Sequence, residues 1–276
     1  MIETPTATAV QRLAEWLAPH RRVFVLTGAG CSTASGIADY RDASGAWKRR
    51  PPVTLQAFTQ EPATRRRYWA RAFAGWPRFS QAVPNAAHHA LAQWEARGGP
   101  SMLLTQNVDG LHQRAGQQGV VDLHGRLDTV RCLDCGDLTP RDEMQARLAD
   151  ANPGRIDTVA SFAPDGDADL ERDDFDDYVV PPCRRCGGML KPDVVFFGEN
   201  VPRPRVDAAV QALQASDALL VVGSSLMVYS GYRFARMAHE AGRPIALLTR
   251  GATRADDLAD LALRADCTAV LPSALG

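Results

Sequence analysis

Cysteine is scarce in this chain, six residues in 276, too few for a disulfide-stapled scaffold. Long apolar runs are missing too, and none approaches the roughly 18–20 residues that cross a bilayer as a helix. Neither sign of charge dominates: 31 basic residues face 32 acidic ones, for a net of −1. That balance argues against a protein that coats nucleic acid or clings to an anionic membrane. The opening Met1-Ile2-Glu3-Thr4-Pro5 has neither the basic and apolar regions of a secretory signal nor the Arg-rich character of an import leader. These absences predict a soluble cytoplasmic protein with no nucleic-acid or membrane partner. Its oligomeric state stays open, a monomer being plausible.

What the chain has is a set of short Val- and Leu-rich runs, each closed by Gly, Ser, Thr, Asn or His. They are Val23–Gly28, Met102–Asn107, Val120–Gly125, Val194–Gly198, Leu219–Gly223 and Ile245–Thr249. Such runs read as buried strands. Helix-like stretches lie at Thr8–Leu17, Ala86–Ala96, Arg205–Ala215, Gly231–Ala241 and Ala255–Leu263. The alternation predicts an α/β fold, a doubly wound parallel Rossmann-like sheet whose ligands bind at the carboxyl ends of the strands. Two stretches break the rhythm, the second holding two C-x-x-C pairs, and predict a small discontinuous zinc-binding and helical module. The expected division is a nucleotide-binding domain of residues 1–40, 85–130 and 190–276, a helical insert at 41–84 and a zinc-ribbon module at 131–189.

Cys132-Leu-Asp-Cys135 and Cys183-Arg-Arg-Cys186 supply four thiolates, each pair followed by glycine. Four sulfur ligands suit one tetrahedral, closed and therefore structural zinc. Between the pairs, Asp165 to Asp177 carries eight acidic residues. Its Asp165-Gly-Asp167-Ala-Asp169 start imitates a calcium loop, but Leu170 occupies the position that needs Gly, so a solvated acidic loop is the better reading. Gly28-Ala29-Gly30 follows a strand as a phosphate-binding turn does. The G-x-G-x-x-G fingerprint fails at Thr33, which disfavours a hydride-transfer dehydrogenase. A second strand closing on Gly223-Ser224-Ser225 offers a grip on another half of a dinucleotide. Among six histidines, His124 stands out because it ends an apolar run at the predicted ligand edge, where a general base fits. The other five read mostly as surface residues. Pairing of Cys31 with His124 as a nucleophile is a weaker reading than Cys31 as a small packing residue.

Taken in order, Gly28–Arg41, Thr105–His112, Leu123-His124-Gly125, the two cysteine pairs, Lys191–Glu199 and Gly223–Leu226 resemble the sirtuin family of NAD-dependent protein deacylases. Longer stretches, Arg67–Trp76, Ala163–Asp167, Val221–Phe234 and Thr253–Leu258, are similar to its class II branch, that of the mitochondrial lipoamidase and ADP-ribosyltransferase sirtuin. The resemblance implies NAD+ as co-substrate and one structural Zn2+. It implies that Gly28, Ala29, Gly30, Cys31, Ser32, Asp39, Tyr40 and Arg41 hold the diphosphate and border the reacting ribose. Gln106, Asn107, Val108 and Asp109 would form the nicotinamide pocket, Asn107 with a catalytic role. Gly223, Ser224, Ser225, Thr249, Arg250, Gly251 and Cys267 would take the far nucleotide. Val195, Phe197, Gly198, Glu199, Met227, Val228 and Tyr229 would pair with an acyl-lysine protein substrate bound as an extended strand.

The implied reaction begins with attack of the acyl-lysine carbonyl oxygen on the ribose carbon as nicotinamide leaves. His124 then activates the ribose hydroxyl that closes onto the imidate, and water releases lysine and 2′-O-acyl-ADP-ribose. Two alternatives are protein mono-ADP-ribosylation at the same site and a non-catalytic zinc-stabilised NAD- or peptide-binding module. Tyr68 and Arg71, at i and i+3 on one helix face, resemble a pair that reads acidic acyl groups, so glutaryl-like chains stand beside lipoyl and biotinyl ones. Ala38 and Thr249 depart from the Pro and Asn usual in the family, which predicts weaker NAD binding.

Overall fold

Inside each short Val/Leu run, successive side chains point to opposite faces of a sheet, and here both faces are covered. In the computed structural model, which describes residues 3–39, 52–100, 102–154, 159–162, 166–170 and 174–276, six runs pair in parallel. They are β1 (Val23–Thr27), β2 (Leu103–Thr105), β3 (Val120–Asp122), β9 (Ala218–Val222), β10 (Ile245–Leu248) and β11 (Leu261–Leu263), in the order β11-β10-β9-β1-β2-β3. Val23, Val25, Leu220, Val222, Ala246 and Leu248 pack one way, with Ala9 and Leu13 of α1 (Thr6–Leu17), Leu91 of α4 (Ala86–Ala96) and Leu271 of α9 (Cys267–Ala274). Phe24, Leu26, Leu219, Val221, Ile245 and Leu247 pack the other way, with Leu213 of α7 (Arg203–Ala215) and Phe234 of α8 (Tyr229–Glu240). The doubly wound sheet predicted from the alternation is therefore present.

A second layer is antiparallel, with strands in the order β5-β4-β8: β4 (Gly125–Cys132), β5 (Leu138–Pro140) and β8 (Leu190–Val194). Its core joins Val130, Leu190 and the cysteines to Met144 and Leu148 of α6 (Arg141–Ala151). Phe58 of α2 (Leu55–Gln60) and Tyr68 and Trp69 of α3 (Pro62–Ser80) complete it. Trp69 is wholly buried, and its indole N–H donates to Leu190 O at 3.3 Å. Truncating so large a buried aromatic costs about 3–5 kcal/mol, so α3 and the cysteine layer are packed as one body. A short α5 (Leu111–Arg114) and the antiparallel pair β6 (Val159–Phe162) and β7 (Ala168–Leu170) complete the α-helices and strands among the described residues.

Two expectations need correction. Ala255–Leu263 is not a helix: a 3-10 turn at Asp256–Leu258 leads into β11, where Leu261 and Leu263 enter the core beside β10. The helix-forming Ala and Leu content of the segment is overridden by that sheet-edge burial. Val194–Gly198 is not a strand of the parallel sheet. Its start finishes β8 against β4, and Phe197 forms an isolated bridge to Thr54.

Candidate active site

The polar residues that close the parallel strands meet along one edge of the sheet. Strand order reverses at β1 and β9, and at such a switch point the outgoing loops diverge and leave a crevice. A cleft of about 880 Å³ lies there, lined by the loops after β1, β2, β3, β9 and β10 and by the segments before α2 and after β8. The glycines at the switch are required by close approach. Gly30 N–H donates to Gly223 O at 2.8 Å, and a Cβ on Gly223, at φ +60°, would stand 2.3 Å from Cys31 N. No side chain fits between these two loops.

Beside them the residues after β2 form a polar web. Gln106 Nε2 donates to Ser224 Oγ at 2.6 Å. Asn107 Nδ2 donates to Gly28 O at 3.1 Å and Ser32 Oγ at 3.0 Å, and Ser32 Oγ donates to Asp109 Oδ2 at 2.7 Å. Burial raises the Asp109 pKa, opposed by the Leu111 N–H and the Ser32 hydroxyl. The web leaves amide and carboxyl groups at a cleft wall, the equipment that reads a planar carboxamide.

His124 follows β3 immediately. Its Nδ1 lies 3.0 Å from Gln106 O and its Nε2 2.8 Å from Ser230 Oγ. A carbonyl oxygen only accepts, so Nδ1 carries the proton and Nε2 is the basic nitrogen. Burial lowers its pKa to about 4; the Gln106 bond works against this, and Arg233 and Arg205 add to it. The ring is neutral at physiological pH, the form a general base needs.

Among the sequence-predicted residues, Gly28, Ala29, Gly30, Ser32, Asp39, Gln106, Asn107, Val108, Asp109, Gly223, Ser224, Ser225, Thr249, Arg250, Gly251 and Cys267 line this cleft with His124. So do Tyr68, Val195, Phe197, Gly198, Glu199, Met227, Val228 and Tyr229. Tyr40 and Arg41 lie outside the described residues. Cys31 does not line the cleft: it is fully buried in the β1 core, and Cys267 and burial push its thiol pKa well up, which rules against a thiolate nucleophile paired with His124. Arg71 is also absent from the lining. Its guanidinium turns to Asp167, at 3.0 Å, and Asp169, at 2.6 Å, so the helical pair is split and Tyr68 alone faces the cleft. The same contact corrects the view of the acidic loop, since Asp167 is buried rather than solvated. Glu199 also turns inward, accepting from Phe196 N at 2.8 Å and from the buried Lys191 at 3.1 Å, and so shapes the segment after β8.

The four cysteines Cys132, Cys135, Cys183 and Cys186 form one group with all sulfurs within 4.8 Å of one another. Cys132 Sγ and Cys186 Sγ are 3.5 Å apart, and Cys135 Sγ and Cys183 Sγ 3.8 Å. Zinc–sulfur bonds of about 2.3 Å place tetrahedral ligands about 3.8 Å apart, so the donor set fits one closed zinc ion, held well away from the cleft lining.

Sequence reasoning missed several residues. Ser230 had no strand-end position to mark it. Ile37, Phe79, Leu127 and Phe196 give the cleft an apolar side. His88 and His112 are buried, not surface residues. Asn85 N–H donates to His88 Nδ1 at 3.3 Å, and His112 Nε2 lies 3.0 Å from Thr27 Oγ1. The Asn-x-x-His spacing before α4 was the available signal, since it matches a capping box.

Comparison with known proteins agrees with this geometry. A sequence model described as the Sir2 family matches residues 28–230. An "NAD-dependent protein deacetylase" of Xanthomonas campestris pv. campestris (strain 8004) is 61% identical over 268 residues, covering 97% of this chain and 90% of its own. "NAD-dependent protein deacetylase 2" of Bradyrhizobium diazoefficiens is 60% identical over 263 residues, covering 95% and 96%. A solved structure described as "Sir2-p53 peptide-NAD+" superposes with a TM-score of 0.77 at 29% identity, covering 95% of each chain.

Proposed function

The chain belongs to the Sir2 family and is an NAD-dependent protein deacetylase, and from that premise we propose that it takes acyl groups from lysines of extended peptides with His124 as the base. The products would be nicotinamide, free lysine and O-acyl-ADP-ribose. One observation carries this reading: the neutral His124 ring, with its proton fixed on Nδ1 by Gln106 O, lines the same cleft as both glycine loops. NAD, when bound, supplies an electrophilic ribose carbon and a leaving group. Gly28–Ser32 and Gly223–Ser225 would hold its diphosphate and far nucleotide, with Thr249–Gly251 and Cys267 at the adenosine end. Asn107 and Asp109 would read the carboxamide, and His124 Nε2 would accept the ribose hydroxyl proton. The cysteine cluster would hold zinc as a structural ion.

An extended substrate would lie between Val195–Glu199 and Met227–Tyr229. Phe197, Val228 and Tyr229 are all exposed despite being large and apolar, which supports a strand-addition mode. Acyl preference in this proposal goes to uncharged chains. Tyr68, Phe79, Leu127 and Phe196 line the cleft, while Arg71 is engaged elsewhere and offers no fork to a glutaryl carboxylate. Acetyl and the longer lipoyl and biotinyl groups remain within it, as does the class II placement. The test is turnover of a peptide panel carrying acetyl, lipoyl, biotinyl and glutaryl lysine, by wild type and His124→Ala. Stoichiometric O-acyl-ADP-ribose lost in the variant supports the proposal. ADP-ribose attached to protein would favour the transferase reading, and absence of nicotinamide release would sink both.

A further inference from the structure

His124 has a second partner besides Gln106. Ser230 stands in the first turn of α8, lines the cleft, and places Oγ 2.8 Å from His124 Nε2. Because Nδ1 spends the only ring proton on Gln106 O, the Ser230 hydroxyl must be the donor and Nε2 the acceptor. The α8 end that carries it is pressed against the base. A Cβ on the next residue, Gly231, would stand 2.3 Å from Gln106 Oε1. Arg233 Nε donates to Ser230 O at 3.0 Å, which fixes the turn from the other side. The imidazole is thus held at both nitrogens, by a carbonyl behind it and a hydroxyl beside the cleft.

We propose that Ser230 is a positioning residue for the base: its hydroxyl holds the His124 ring in the Nδ1–H tautomer and yields Nε2 to the ribose hydroxyl when substrate enters. This inference rests on the deacylase reading above. Two consequences follow from the chemistry. Without the hydroxyl the ring keeps one tether and turns more freely about its side-chain bond, which lowers the fraction of encounters aligned for proton transfer. A donor to Nε2 also favours the neutral imidazole, so removing it eases protonation. The charged groups facing the ring are Arg205 of α7 and Arg233 of α8, with Asp193 of β8 pairing with Arg205 at 3.3 Å. None of these is altered by a change at Ser230.

The experiment compares wild type, Ser230→Ala, Ser230→Thr and His124→Ala on an acetyl-lysine peptide between about pH 5 and 9. It also measures nicotinamide exchange, which reports the step before the base acts. In Ser230→Ala the expected loss in kcat is about tenfold, from the smaller share of aligned encounters once the ring turns freely, with KM for NAD and the exchange rate little changed. The acidic limb of kcat/KM moves to higher pH, and Ser230→Thr restores both kcat and the profile. A Ser230→Ala enzyme with wild-type kcat and profile overturns the inference. So does a loss matched by raised KM, slowed exchange and lowered Tm, which marks a merely structural residue. If His124→Ala itself turns over like wild type, the deacylase reading fails first and the inference with it.

Discussion

Replacing Arg71 by Ala separates a carboxylate reader from a structural clamp. Arg71 Nε lies 3.0 Å from both Asp167 Oδ2 and Ala168 O, and its terminal nitrogen 2.6 Å from Asp169 Oδ1. The Asp167 side chain is only 10% exposed, so Arg71→Ala strips a guanidinium from a nearly buried carboxylate. Breaking a buried pair in this one-sided way costs about 3–5 kcal/mol. Arg71 is 29% and Asp169 40% exposed, and solvent screening of those groups brings the figure to about 2–3 kcal/mol. For a chain of this size that is a fall in Tm of roughly 5–10 °C. Adding Asp167→Asn removes the carboxylate charge that Arg71 faced and should recover part of the loss. Differential scanning calorimetry reads both changes, and turnover below the transition should fall in parallel for acetyl and glutaryl peptides. An unchanged Tm with a selective loss on glutaryl peptides would refute the clamp and reinstate the carboxylate reader.

Acid should destabilise the fold well above the carboxylate range. Burial lowers the pKa of His88 and His124 to about 4 and that of His112 well below 6.5, so the unfolded chain binds more protons as pH falls from about 6.5 towards 4. At about pH 5 each of the first two rings subtracts about 2 kcal/mol, and urea unfolding that shows less than about 1 kcal/mol lost between pH 7 and 5 contradicts their burial as neutral rings. Chelation should release one zinc per chain, with near-UV dichroism and deacetylase activity falling in step with metal; full activity in metal-free protein would disprove a structural site. Ala38→Pro should tighten NAD by about two- to fivefold by restricting the free loop, measured by calorimetry, and Thr249→Asn should also gain; no gain in either would refute the expectation of weaker NAD binding.

The parallel sheet and its ligand edge were legible because both are written locally. Alternation within runs such as Val23–Thr27 sorts side chains to two faces, and the glycines and polar residues that end the runs mark the edge where the cleft opens. The cysteine pairs were legible for a similar reason, as short spacing fixes a ligand hook. What failed depends on partners outside the segment itself. Leu261–Leu263 becomes a strand because β10 offers an open edge. Arg71 turns from the cleft because Asp167 and Asp169, nearly a hundred residues on, reach it first. Ser230 gains its contact with His124 through a helix that the sequence places more than a hundred residues away. Helical spacing shows which residues share a face but not which neighbour that face meets.

The two long strands of the cysteine layer connect places that otherwise have little to do with each other. β4 starts at Gly125, one residue after His124, and ends at Cys132; β8 starts at Leu190, just past Cys186, and ends at Val194, where Val195 N–H donates to His124 O at 2.8 Å. They form a pair of tongs, joined at one end by the cysteine cluster and reaching His124 at the other, roughly 13 Å away along the four steps of β8. Oxidation of the thiolates would open the pivot. Its effect would be felt first at His124 and Val195, while the glycine loops, carried by the separate parallel sheet, would keep their arrangement.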